Sequence, residues 1–189
     1  MKTRVMAAWI GAAGVAFGAW AQENPAFQAS LAPDNALYGR NQRIEGVALS
    51  LWGENPQTAL AIGLVNGSSG ESAGLSLGVL NYAESYAGAQ WAFVNFTSGD
   101  CSGWQGGPVL GLLVGVLNYT GGHMSGLQTG VVNLSGKLSG LQFGLINYTQ
   151  TADSGVQIGL VNLIAGNSGW FTQWPDEVAP GMILANWHF

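Results

Sequence analysis

Gly126-Leu127-Gln128-Thr129-Gly130-Val131-Val132-Asn133, Gly140-Leu141-Gln142-Phe143-Gly144-Leu145-Ile146-Asn147 and Gly155-Val156-Gln157-Ile158-Gly159-Leu160-Val161-Asn162 are three copies of one pattern. Looser copies end at Asn66, Asn81, Asn95 and Asn118. Ala92 takes the place of the central glycine in the copy ending at Asn95, while Leu113, Ser76 and Ala61 replace the glutamine in three others. Each copy is a short run of β-branched, aromatic and glycine residues. Between copies lie clusters such as Gly67-Ser68-Ser69-Gly70 and Thr149-Gln150-Thr151-Ala152-Asp153-Ser154, which are turn chemistry. No stretch after Ala21 carries a helical period, so the chain is read as all-β.

Repeated strands admit two architectures. A parallel β-solenoid stacks every copy in one direction and lines up asparagines and glutamines as ladders. An up-and-down barrel reverses direction at each copy, so alternate connections have different surroundings. The Asn-to-Asn intervals from Asn66 are 15, 14, 23, 15, 14 and 15, with a further 24 to Asn186. Taken alternately, both long intervals fall in one set. The residue after Asn also alternates: Tyr82, Tyr119, Tyr148 and Trp187 in one set, Gly67, Phe96, Leu134 and Leu163 in the other. These alternations favour a small antiparallel up-and-down β-barrel of about 8–10 strands, with the solenoid as the alternative.

A bilayer is the solvent this reading implies. Between Ala59 and Leu163 the charged residues are Glu71, Glu84, Asp100, Lys137 and Asp153, all read as lying in connections. Within a copy, Leu141, Phe143, Leu145 and Asn147 share one face, and Gln142, Gly144, Ile146 and Tyr148 the other. Both faces are largely apolar, whereas a sheet wetted on one side shows a polar face. Strands of about 9–11 residues suffice to cross a membrane. Ile183 to Phe189, ending in phenylalanine, is similar to the terminal strand of outer-membrane barrels. Gly181–Phe189 would be a ninth strand and Ala26–Ala32 a tenth, with Pro33–Arg43 as an outer loop. In this scheme the face carrying Gln128, Gln142 and Gln157 meets lipid.

The N-terminus suggests export. Lys2 and Arg4 precede an uncharged run from Val5 to Ala21, and Ala19-Trp20-Ala21 suits cleavage before Gln22. The reading divides the chain into a leader (1–21), an N-terminal segment holding a first strand and loop (22–43) and a repeat β-domain (44–189). After cleavage Arg40, Arg43 and Lys137 face ten acidic residues, a net charge of −7. Such a balance argues against nucleic acid, whose binding requires a basic face. Only 8% of residues are charged and 48% are hydrophobic, a composition that excludes a disordered polyelectrolyte. Cys101 is alone, so no intrachain disulfide is possible.

The repeat Gly-Leu-Gln-x-Gly-Leu-x-Asn, with Gly169-Trp170-Phe171-Thr172-Gln173-Trp174-Pro175 ahead of the terminal Asn186–Phe189, resembles a bacterial surface-repeat family. The resemblance runs from about Ile44 to Phe189. It implies an exported protein of the cell surface and brings no catalytic residues. Some members are lipoproteins, but this chain lacks a lipoprotein cysteine, so no lipid anchor is implied.

The residues offer little chemistry. His123 and His188 have no metal-ligand neighbours at useful spacing, no nucleophile has an ordered histidine, and no glycine-rich segment carries a phosphate-loop lysine. No catalytic residue, cofactor or metal is expected. The Asn-x-Ser/Thr matches follow from the repeat and are discounted as glycosylation sites. Two long loops, about Thr97–Val109 and Ile164–Pro180, carry Trp104, Trp170, Phe171 and Trp174. These aromatics are the candidate contacts for a glycan or protein partner and equally suit a bilayer surface. The expected function is that of a non-catalytic outer-membrane or cell-surface protein with a structural, adhesive or interaction role, in contact with outer-membrane lipid. The alternative is a secreted soluble binding module.

Overall fold

The computed structural model describes residues 24–107 and 116–189. The expected leader (1–21), Gln22 and Glu23 of the N-terminal segment, and the end of the first long loop at Pro108 and Val109 lie outside the described residues. The strands are β1 (Phe27–Ala32), β2 (Asn35–Ala36), β3 (Val47–Glu54), β4 (Leu60–Leu77), β5 (Leu80–Trp91), β6 (Val94–Thr97), β7 (Cys101–Gly106), β8 (Leu117–Ile164) and β9 (Gly181–His188). Among the described residues there is no helix, so the all-β reading holds.

The direction of pairing corrects the preferred architecture. β1 with β3, β3 with β4, β4 with β5, and β6 and β7 with β5 and β8 all run parallel. Asn66 aligns with Asn81, Asn81 with Asn95 and Asn95 with Asn118. The copies therefore stack as a solenoid and not as an alternating barrel. Each interval of 14 or 15 residues is a full turn of the coil, made of an Asn-bearing limb and a Gln-bearing limb. The Asn limb is exemplified by Leu117–Thr120 and the Gln limb by Met124–Gln128. Strand β8 continues round these turns without interruption.

The two alternations have other causes. Gly67, Tyr82, Phe96 and Tyr119 are register partners, neighbours in one outward column and not markers of two ends. The interval of 24 arises because the chain leaves the stack after Ile164 and returns as β9, which pairs antiparallel with the last turn. At the other end β1 pairs antiparallel with β2. Both ends of the stack thus carry an antiparallel return.

The interior is polar. Seven asparagines form a chain in which each side-chain amide donates to the next, from Asn66 to Asn81 (3.0 Å) through to Asn147 and Asn162 (2.8 Å). The second N–H of each turns to a backbone carbonyl, as Asn133 does to Phe143 O (3.0 Å). A parallel column of glutamines runs from Gln90 to Gln157, each donating back to the preceding turn at 2.7–2.9 Å. The two columns point their amide dipoles in opposite directions, so their fields offset one another. Between them lie Thr97, Thr120, Ser135 and Thr149 and an apolar column of Tyr86, Cys101, Met124, Leu138 and Ala152. Gln128, Gln142 and Gln157 are fully buried, which corrects the expectation that their face meets lipid. The asparagines of the Asn-x-Ser/Thr matches are likewise buried, away from any glycosylating enzyme.

Close stacking of one Gln limb on the next requires glycine. Gly103 and Gly126 have φ of 126° and 129°, and a Cβ on either would collide with the carbonyl oxygen of the glycine one turn earlier. Beyond the buried apolar column, many of the large apolar side chains point outward.

This inside-out arrangement predicts an unusual pattern of mutational cost. Asn133→Ala strands the amide of Asn118 and the Oδ1 of Asn147, at about 1–3 kcal/mol for each buried unpartnered group. Leu145→Ala, on the outward face, should change stability by only about 0.5 kcal/mol. Denaturant unfolding of the two variants measures both.

Candidate interaction surface

Two outward apolar columns, one on each limb, meet at a corner built on Gly130, Gly144 and Gly159. Gly144 and Gly159 lie so close to the preceding turn and to the Asn column that a Cβ on either would strike the carbonyl oxygen below. The chain therefore bends sharply there and splays the flanking side chains apart. On one side stand Phe143 and Ile158, on the other Leu145 and Leu160, and Leu184 of β9 closes the end. Together they line a groove of about 660 Å³. Leu184 holds φ of 71°, a conformation unfavourable for a leucine, and remains exposed at the rim.

The uncovered apolar surface extends well beyond the groove. Leu51, Leu64, Val79, Val116, Leu145 and Leu160 lie in one column with the half-buried Phe93 and Val131, and these six are each 47–60% exposed. Leu49, Ile62, Phe143 and Ile158 form a second exposed column across the corner. Monomeric soluble proteins rarely leave apolar patches larger than a few hundred Å² uncovered.

Between Ala59 and Leu163 the charged residues described share one edge. Glu71, Glu84, Asp100, Lys137 and Asp153 all lie where the coil turns from the Asn limb to the Gln limb, four of them exposed. Asp100 sits in the connection between β6 and β7 as expected, whereas the other four lie within strands, because β4, β5 and β8 continue through the turn. Lys137 bonds Asp153 at 2.6 Å, and Asp100 accepts the backbone amide of His123 at 2.7 Å. Between the apolar corner and this edge runs the column of Gly67, Tyr82, Phe96, Tyr119, Leu134 and Tyr148, with Phe96 stacked on Tyr119 at 4.8 Å. Going round one turn, Leu145 and Ile146 give way to Tyr148 and then to Asp153.

Of the four aromatics singled out in the sequence, three come together. Trp170, Phe171 and Trp174 lie in the segment between β8 and β9 and are 66, 52 and 58% exposed. Their rings follow one another at 6.4 and 6.2 Å, and Trp174 meets Trp187 of β9 at 5.4 Å. Trp104 is not with them and is not in a loop. It belongs to β7, pairs with Ala89 and Leu127, packs edge-on against Trp91 and donates to Thr129 Oγ1. The stretch from Cys101 to Gly106 reads as loop because its repeat is degenerate, but the parallel neighbours hold it in the stack.

A buried polar cluster anchors the aromatic segment. Glu177, 3% exposed, accepts the Ser168 amide at 2.8 Å and faces His188 Nδ1 at 3.3 Å. Asn167 donates to Ala179 O and Trp187 O and bonds His188 Nδ1 at 2.8 Å. The Ser168 amide holds the Glu177 carboxyl below the usual carboxylate range. Burial pushes the Cys101 thiol up to about 12, so it is a packing residue and not a nucleophile.

Among the described residues, no three or more His, Cys, Asp or Glu are grouped to hold a metal ion. No described helix is long and apolar enough to cross a membrane. No protein-family model, curated protein or solved structure matches this chain. The feature that sequence reading missed is the glycine corner. Its trace was the residue after each central glycine, which is a large apolar side chain in Leu64, Val79, Val131, Leu145 and Leu160 alike.

Acid should loosen the C-terminal segment. A carboxyl depressed in the folded state stabilises fully above its unfolded value, about 4.3 for Glu, and the contribution is lost as pH falls through the lower folded value. Tryptophan fluorescence should therefore report a transition below about pH 4 that Glu177→Gln lacks, whereas a transition of equal size in that variant would exclude Glu177 as its cause.

Proposed function

We propose that this chain is an exported, non-catalytic protein of the bacterial cell surface whose work is interaction. Its capped solenoid presents a long apolar flank to a partner. The observation that carries this reading is the uncovered leucine and valine column from Leu51 to Leu160, a surface that costs free energy in water unless something covers it. The basic, then apolar, N-terminus supports export. The repeat's resemblance to exported surface repeats points the same way. A net charge of −7 after cleavage disfavours nucleic acid as the partner.

A second reading draws on the other end of the molecule. A secreted soluble module would bind a glycan or protein through Trp170, Phe171 and Trp174, whose exposed rings sit together beside β9.

Expression of the full chain in a Gram-negative host separates the two. The proposal expects a mature N-terminus at Gln22 and recovery in the envelope fraction. Recovery as a soluble monomer in the medium favours the secreted module, and an uncleaved cytoplasmic product removes the export reading altogether.

A further inference from the structure

We infer that the glycine-corner flank is a lipid-docking face: the solenoid lies along one leaflet of a bilayer without spanning it. The corner enters the acyl chains, the tyrosine column sits at the headgroup level and the charged edge stays in water. This deepens the surface-protein reading by naming the partner.

The charge pattern around each turn matches the polarity profile of a membrane surface. Phe143, Leu145 and Ile146 at the corner offer nothing to hydrogen-bond. Tyr148, two residues beyond Ile146, carries an aromatic ring with a polar tip, the side-chain type that concentrates where hydrocarbon meets water. Asp153 and Lys137 follow at the far edge. Leu145 to Tyr148 spans three residues of extended chain, roughly 10 Å, which is the depth to which interfacial elements sink. Turns stack in register, so the apolar corner, a row carrying aromatic rings at Tyr82, Phe96, Tyr119 and Tyr148 with Leu134 among them, and the edge of Glu71, Glu84, Asp100, Lys137 and Asp153 run side by side. A flat leaflet meets such rows along their whole length.

A second copy of the chain would cover the apolar columns equally well, but it has no use for the graded aromatic row. Spanning is disfavoured by the fold itself, because Glu71, Glu84, Asp100, Lys137 and Asp153 place charge on the far edge of five turns. The docking is not driven by anionic headgroups. Three basic residues lie beyond the leader region, and Arg40 and Lys137 are already paired with Asp34, Glu54 and Asp153. Binding should therefore be indifferent to salt and need no acidic lipid.

Flotation of the purified protein with phosphatidylcholine–phosphatidylethanolamine vesicles, with and without phosphatidylglycerol, tests this. The protein should float with both, at low and high salt. Leu145→Asp combined with Leu160→Asp should lower the floated fraction about tenfold while circular dichroism stays unchanged, and Asp153→Asn should have no effect. If the double variant does not fold, a polarity-sensitive fluorophore decides instead. Attached at Leu145→Cys in a Cys101→Ser background it should shift to the blue on vesicles, and attached at Asp153→Cys it should not. Four outcomes overturn the inference: no flotation, flotation only with acidic lipid, a blue shift at both labels, or a lipid-independent dimer in which the Leu145 label is already buried. Vesicle binding is read on purified protein, so its failure leaves the export and fractionation results standing, and their failure leaves it standing.

Discussion

A buried primary amide is costly unless both its N–H groups and its oxygen are engaged, and a repeated coil has a simple way to engage them. Each asparagine between the ends of the inner column gives one N–H to the asparagine of the next turn and the other to a backbone carbonyl, while its oxygen accepts from the turn before. Such a chain closes only when successive turns are parallel and in register, because a shift of one residue would turn every amide outward. The ladder thus fixes the direction of stacking, the length of the turn and which face is inside. The glutamine column repeats the device with its dipoles reversed, and its last member, Gln157, leaves an oxygen without a partner because no further turn follows.

Amides and hydroxyls fill the interior beside one apolar column of Tyr86, Met124 and Leu138, and many other large apolar side chains stand outside. In most domains the outward face pays little attention to composition, but here leucine, valine and isoleucine occupy it turn after turn. The hydrophobic effect then contributes less to holding the coil together than to what the coil can adhere to. Along the repeats from Ala59 to Leu163, charge stands at one edge, where a side chain can reach water without crossing the apolar flank.

All-β content and the repeat itself were legible in the residues, since Gly140–Asn147 and its copies need no structure to be seen. Direction was not. The spacing from Asn95 to Asn118 and the alternation of Tyr82, Phe96 and Tyr119 suggested two ends of a barrel, yet a residue inserted into one turn of a coil lengthens the interval just as a loop does. Both faces of a copy look apolar in sequence because glutamine and asparagine are few per copy, and only stacking makes them a continuous polar core. Trp170, Phe171 and Trp174 were found where expected because a proline- and glycine-flanked segment breaks the repeat. Trp104 was misplaced because its own copy had lost the repeat's signature. The glycine corner escaped notice because a lone glycine in a strand carries no sign of which way the chain bends.

The relation between Phe96 and Tyr119 tests parallel stacking most directly. Their rings stack at 4.8 Å although 23 residues separate them. Phe96→Cys and Tyr119→Cys in a Cys101→Ser background, spin-labelled and measured by dipolar EPR, should give the short distance of neighbouring strands, whose backbones are about 5 Å apart. Strands of alternating direction would place the two labels at opposite ends, roughly 30 Å apart, and that result would contradict the stacked coil.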